Sequence, residues 1–207
     1  ATRRVVDQFL DRGIVPVFAS TDLVFDGETG PYGEGVDPRP IVTYGKQKCE
    51  IERYLASTGA PYLILRLAKV VSADLQYGGL LSEWCDAIAC GRPVYCADDH
   101  WASYVDVDDV ATAAVRLMQE GAEGIFHIGG PDGLTRLDLF EIFCGCLPGD
   151  VQAKARSLMR RCSIDDIPGM RERRPRNVTL DCRKLHDAIG FQPRSMAEVC
   201  RLAVAGV

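Results

Sequence analysis

Tyr44 and Lys48 lie four residues apart in the segment Tyr44-Gly45-Lys46-Gln47-Lys48, a spacing that puts both side chains on one face of a helix. An ammonium beside a phenol favours the phenolate and draws the tyrosine pKa down from about 10. Such a pair can exchange a proton with a carbonyl oxygen, which is what ketone reduction needs, and the lysine can also hold ribose hydroxyls. Alone, the spacing is common on exposed helices, so the surrounding chain has to decide. Upstream, Ser20-Thr21-Asp22-Leu23-Val24-Phe25-Asp26-Gly27 closes an apolar run. Ligands of open α/β sheets bind beyond the carboxyl ends of strands, where a Thr21 hydroxyl could bond the carbonyl beside Tyr44. The competing reading is that Ser20, Thr21 and Asp22 only cap a turn.

The elements that must position these residues follow from hydrophobic period. Val5, Val6, Phe9 and Leu10 have helical spacing over residues 2–12, and Gly13 stops that helix. Ile14 to Ala19 is a short apolar run of the kind buried on both faces of a parallel sheet. Residues 26–41, rich in Gly, Pro and Asp, form a loop. The pattern then predicts a helix over Thr43–Ser57 and a buried strand over Tyr62–Leu67. Further helices are expected at Leu80–Ala89, Val107–Gln119 and Leu137–Cys146, with strands at Pro93–Cys96 and Gly124–Ile128. The stretch 148–176 is polar and basic, is broken by Pro168 and Pro175, and has no clear period. The last thirty residues read as a short strand and two helices. Helix and strand in alternation is α/β grammar.

Gly27, Gly30 and Gly33 have the G-x-x-G-x-x-G spacing of a phosphate-binding turn. Pro31 interrupts it, Pro38 and Pro40 follow, and no helix begins where its dipole would meet a phosphate, so the spacing is read as a permissive loop.

These residues, in this order, resemble the extended short-chain dehydrogenases/reductases, and within them the dTDP-4-dehydrorhamnose reductase-like branch. The resemblance rests on Ser20 to Gly27, on Pro31-Tyr32-Gly33-Glu34 with Pro38 and Pro40, and on Tyr44 to Lys48. It continues through Leu65-Arg66, Arg174-Pro175-Arg176-Asn177 and Leu180-Asp181-Cys182-Arg183-Lys184-Leu185. It implies a Rossmann-like doubly wound parallel sheet without its first strands, and a smaller α/β substrate-binding lobe. Residues 1–130 would belong to the cofactor domain, with a lobe insertion near 70–100, and residues 131–207 mainly to the lobe. Thr21, Tyr44 and Lys48 become the catalytic trio, Ser20 and Arg66 join Tyr44 and Lys48 at an NADP or NAD cofactor, and Asp22 joins Thr21 at the substrate. A glycine-rich strand-turn-helix ahead of Ala1 is implied as well, so this chain alone should bind cofactor poorly.

Two features bear on substrate and partner. Sugar-reducing members continue after the arginine with Ser and Trp, where this chain has Ala68 and Lys69. A lysine there could meet a carboxylate or phosphate, or simply point to solvent. Arg174 and Arg176, in a basic run, could fork onto the diphosphate of a nucleotide-linked substrate or form a solvated loop. Asp99-His100-Trp101, Val107 to Ala111, Gly124-Ile125-Phe126-His127 and Arg173 to Asn177 also resemble the methionine adenosyltransferase regulatory beta subunit. A non-catalytic subunit with a methionine adenosyltransferase-like partner is therefore the alternative, beside a nucleotide-sugar epimerase or dehydratase. A homodimer is a further expectation.

The 207 residues, 47% hydrophobic and 26% charged, suit a folded domain with a real core. A net charge of −5 argues against nucleic acid as partner. No apolar run is long enough to span a bilayer and the start lacks a signal sequence, so the expectation is a cytoplasmic protein without membrane partners. Nine cysteines, an odd number without zinc spacing, and three scattered histidines point to reduced thiols and no metal. Asp106, Asp108 and Asp109 precede a helix and read as caps.

Overall fold

The computed structural model describes residues 2–169 and 171–205. The chain is mixed α/β, built around a parallel sheet. Helix α1 (Thr2–Leu10) leads into β1 (Val17–Thr21), α2 (Thr43–Ser57) and β2 (Leu63–Leu67). There follow β3 (Val70–Val71), α3 (Leu80–Ala89), β4 (Val94–Ala97), β5 (Trp101–Ala102), β6 (Val105–Asp106) and α4 (Val107–Gln119). Then come β7 (Gly124–Ile128), β8 (Leu134–Thr135), α5 (Arg136–Cys146), α6 (Gly149–Leu158), β9 (Met159–Cys162), α7 (Arg183–Ile189) and α8 (Met196–Ala205). No described helix is long and apolar enough to cross a membrane.

The central sheet has the order β1-β2-β7, all parallel. Alternation along β2 sorts its side chains between two helical layers. Leu63 and Leu65 pack with Phe126 and Ile128 of β7 against Ala113 and Leu117 of α4 and Leu185 of α7. Ile64 turns the other way, onto Val6 of α1 and Leu55 of α2. Each such fully buried aliphatic side chain contributes roughly 1.5–3 kcal/mol. A separate cluster joins α3, β4, α5, α6 and α8, centred on Trp84, whose indole meets the Phe140 ring edge-on at 5.1 Å.

The expected strand over Ile14–Ala19 is displaced to Val17–Thr21. Pro16 has no N–H to give, and the Ile14 N–H turns back to the Phe9 carbonyl. At the other end Ser20 and Thr21 pair with Arg66 and Leu67, which extends the strand, and Thr21 also caps the turn that follows, its hydroxyl oxygen accepting from the Leu23 N–H at 3.3 Å. The stretch 148–176 holds α6 and β9, and β9 runs parallel to β4. Near the carboxyl end the two helices are present, but the strand reduces to a single bridge, Leu180 to Tyr32. Asp106 and Asp109 do not cap α4 through their side chains: both carboxylates bind Arg194 instead, at 2.8 and 3.0 Å.

Candidate active site

The register β1-β2-β7 sets Ser20, Arg66 and His127 side by side in one row, on the face that α2 covers. One residue further along β1, Thr21 ends the strand and enters a 3-10 turn, Asp22–Val24. Helix α2 crosses this turn so closely that a Cβ on Gly45 would run into the Leu23 carbonyl oxygen, and only glycine fits. Tyr44 and Thr21 are thereby brought to the same opening.

The opening is a cleft of about 330 Å³. Thr21, Asp22, Tyr44, Lys69 and Arg174 all line it, although they come from four separate parts of the chain. Tyr44 is 48% exposed. Lys48 lies one turn behind it: its ammonium donates to the Ala19 carbonyl at 2.7 Å and sits 5.5 Å from the Tyr44 ring centre. Burial lowers the Lys48 pKa from its ordinary value. Thr21 and Asp22 are 7% and 5% exposed, and their side-chain oxygens are 3.0 Å apart. Burial raises the Asp22 carboxyl to about 7, against opposing hydrogen bonds from Thr21 and the Leu23 amide and the charge of Lys69.

Arg174 reaches the cleft because its neighbour Glu172 is tied to the start of α2. The Glu172 carboxylate accepts from the Thr43 N–H at 3.2 Å and from the Thr43 hydroxyl at 2.5 Å, serving the helix N-terminus that Val42 leaves uncapped. Those bonds lower the Glu172 pKa.

Four sequence candidates do not line the cleft: Lys48, which stands behind Tyr44, and three others. Arg66, 1% exposed, forms an ion pair with Glu52 of α2 at 2.7 Å and donates to His127 Nε2 at 3.4 Å. The Ser20 hydroxyl also donates to Glu52. Alternation along the strands points both at α2, away from the opening. Arg176 is held by Asp99 at 2.8 Å and Asp165 at 2.6 Å.

The cleft also contains His100, Tyr104 and Arg136, which local spacing did not single out. Arg136 is the first residue of α5, separated from Tyr44 by more than ninety positions, so no short motif could connect them. Burial lowers the His100 pKa to about 4, with Arg174 and Arg176 adding to the effect, so the ring is neutral near pH 7.

Two glycines of the Gly27-Gly30-Gly33 spacing serve packing. A Cβ on Gly27 would meet Pro175 and the Arg176 amide, one on Gly30 would meet Asn177, and Gly33 faces open space.

The RmlD substrate binding domain family matches residues 1–206. The chain belongs to this family. It is 33% identical over 200 residues to a probable low-salt glycan biosynthesis reductase, Agl14, of Haloferax volcanii, covering 94% of this chain and 65% of the relative. It is 29% identical over 196 residues to the methionine adenosyltransferase 2 subunit beta of Bos taurus, covering 88% of this chain and 54% of that protein. Among solved structures, the UDP-glucose 4-epimerase of Thermotoga maritima with UDP-glucose superposes with a TM-score of 0.77 at 26% identity, covering 96% of this chain and 65% of that one. The chain thus spans between about half and two thirds of the length of these relatives.

Proposed function

We propose that the protein containing this chain reduces a keto group on a nucleotide-activated sugar, with Tyr44 as proton donor. The observation that carries the reading is the convergence of Thr21 and Tyr44 on one cleft, with the Lys48 ammonium behind the phenol. The family membership and the reductase name of the Haloferax relative support it.

Tyr44 donates its hydroxyl proton to the carbonyl oxygen, and Lys48 stabilises the phenolate that remains. Thr21 donates a hydrogen bond to the same oxygen. When Asp22 is protonated its own O–H can donate to the Thr21 oxygen, freeing the threonine hydrogen for substrate. Reduced nicotinamide cofactor, NADP or NAD, supplies the hydride when bound. The described residues suit its ribose end: Lys48 is anchored at Ala19 and half-exposed Tyr44 stands next to it. Among the described residues no glycine-rich turn opens a helix toward a pyrophosphate. Arg174 and Arg136, which line the same cleft, suit the substrate's diphosphate. Ser20 and Arg66 support the site from behind through Glu52.

The test is Tyr44→Phe in the intact protein, assayed by oxidation of reduced nicotinamide with a nucleotide-linked 4-keto sugar. Loss of about 10²- to 10⁴-fold in rate with an unchanged melting temperature is expected. Undiminished turnover would overturn the reading. The likeness to the bovine subunit supports a second reading, a non-catalytic subunit, under which the wild type consumes no cofactor and Tyr44→Phe retains partner binding. An epimerase would interconvert sugars without net cofactor consumption.

A further inference from the structure

Six arginines of this chain are held by its own carboxylates, and most of its other cations are exposed. Arg66, Arg156, Arg161, Arg176, Arg183 and Arg194 each face a carboxylate within salt-bridge distance. Lys69, Arg136 and Arg174, which share the cleft, have no salt bridge among the described residues. The Nε atoms of Arg136 and Arg174 are also buried without a hydrogen-bond partner. Buried donors are ordinarily satisfied, so two of them on residues that line one cavity mark a place kept for an acceptor. Arg136 is moreover the first residue of α5, the end of a helix at which a positive charge is unfavourable.

The three cations are not equivalent in position. Lys69 lies just beyond the end of β2, whose last residue, Leu67, is in register with Thr21, and its charge acts on Asp22. It therefore stands at the end of the cleft where the carbonyl would react. Arg136 lies near Tyr104, and Arg174 stands beside His100. The one acid lining the cleft is Asp22, whose buried carboxyl titrates at about 7 and offsets little of this charge.

A diphosphate brings two negative charges, which match two guanidinium forks. It leaves the lysine at the reacting end without a counter-charge. The hydroxyls of a neutral sugar would replace the hydration of that ammonium poorly, whereas a carboxylate pairs with it. Resting on the nucleotide-sugar reading above, we propose that the substrate is a sugar acid. In this assignment its ring carboxylate meets Lys69 while its diphosphate spans Arg136 and Arg174.

The experiment is calorimetric titration of the protein with UDP-glucuronic acid, UDP-glucose and UDP, at neutral pH and fixed ionic strength with NADP present throughout. The expected result is that UDP-glucuronic acid binds at least about tenfold more tightly than UDP-glucose, a difference of about 1.4 kcal/mol. Lys69→Ala should remove that preference while leaving UDP-glucose affinity within about twofold, and Lys69→Arg should retain most of it. Arg174→Ala should weaken all three ligands together. Equal affinity for the acid and the neutral sugar overturns the proposal and leaves the nucleotide-sugar reading standing. So does a Lys69→Ala variant that weakens both alike, since the lysine then serves the diphosphate. Failure of every nucleotide to bind overturns both.

Discussion

Two of the places where this molecule holds arginine in partly or wholly buried surroundings treat its charge in opposite ways. Behind α2, Arg66 is fully enclosed and completely satisfied: Glu52 takes the guanidinium, Ser20 donates to the same carboxylate, and neutral His127 accepts on Nε2 and can donate from Nδ1 to the Tyr32 carbonyl at 3.1 Å. Burial and Arg66 together lower the His127 pKa to about 4, which keeps the ring in the form this pattern requires. In the cleft, Arg136 and Arg174 are only partly covered, yet each has a buried Nε without a partner. Closed polar networks weld elements together, while open ones are available to a ligand. The first arrangement locks α2 onto β1 and β2, one turn from Lys48. The second sits where a substrate would enter.

The largest effect is expected from opening the closed network. Glu52→Ala strands the Arg66 charge inside the protein and should cost about 3–5 kcal/mol, read from urea unfolding at pH 7. Replacing both partners, as Glu52→Leu with Arg66→Met, should recover most of that loss, because two apolar groups need no partners. A cost for the pair as large as for Glu52→Ala would mean that the network does more than satisfy its own charges.

Asp22 provides the next effect, and its sign is opposite to that of a paired carboxylate. Its pKa rises from the ordinary 3.8 to about 7 on folding, so between those values the folded state holds a proton that the unfolded chain lacks. Stability from this group therefore falls as pH rises from about 4 to about 7 and is level above that. Asp22→Asn should stabilise the protein at pH 8 by about 2 kcal/mol, taking half of the value that a shift of this size implies. The same change should be near neutral below pH 4. Denaturation at the two pH values measures the difference, and an equal effect at both would place the carboxylate in a better solvated setting.

Lys69→Ala should move stability by no more than about 0.5 kcal/mol, since its side chain is exposed and forms no ion pair among the described residues. A loss of several times that size would turn it from a ligand group into a structural one. The smallest effect is expected at Arg156, whose pair with Glu141 is open to water on both sides. Arg156→Ala should change the unfolding free energy by less than about 0.5 kcal/mol.

Much of the architecture could be read from local pattern. The helices at Thr43–Ser57, Leu80–Ala89 and Val107–Gln119 follow their apolar periods, as does the strand Gly124–Ile128. Segment 148–176 has no legible period because α6 and β9 bury little: Ala155 is the one buried residue of α6, and β9 has none. Where burial is slight, the hydrophobic period carries little information. Within the site, Tyr44, Thr21 and Lys69 could be picked out because each lies at the end of a legible element. Arg136 could not, since it enters the cleft from a helix that gives no sign of where it docks.

The sequence by itself determined which faces exist. The four-residue spacing of Tyr44 and Lys48 sets their common side of α2, and alternation in β2 sends Arg66 away from Leu65. Only the tertiary structure decided which charges meet. It brought Glu52 to Arg66, Asp99 and Asp165 to Arg176, and left Arg174, two residues from Arg176, without a counter-ion among the described residues. Periodicity is a local property of the chain, whereas the pairing of a charge depends on partners that arrive from far along it. At this site, the unpaired cations are the part that only folding could reveal.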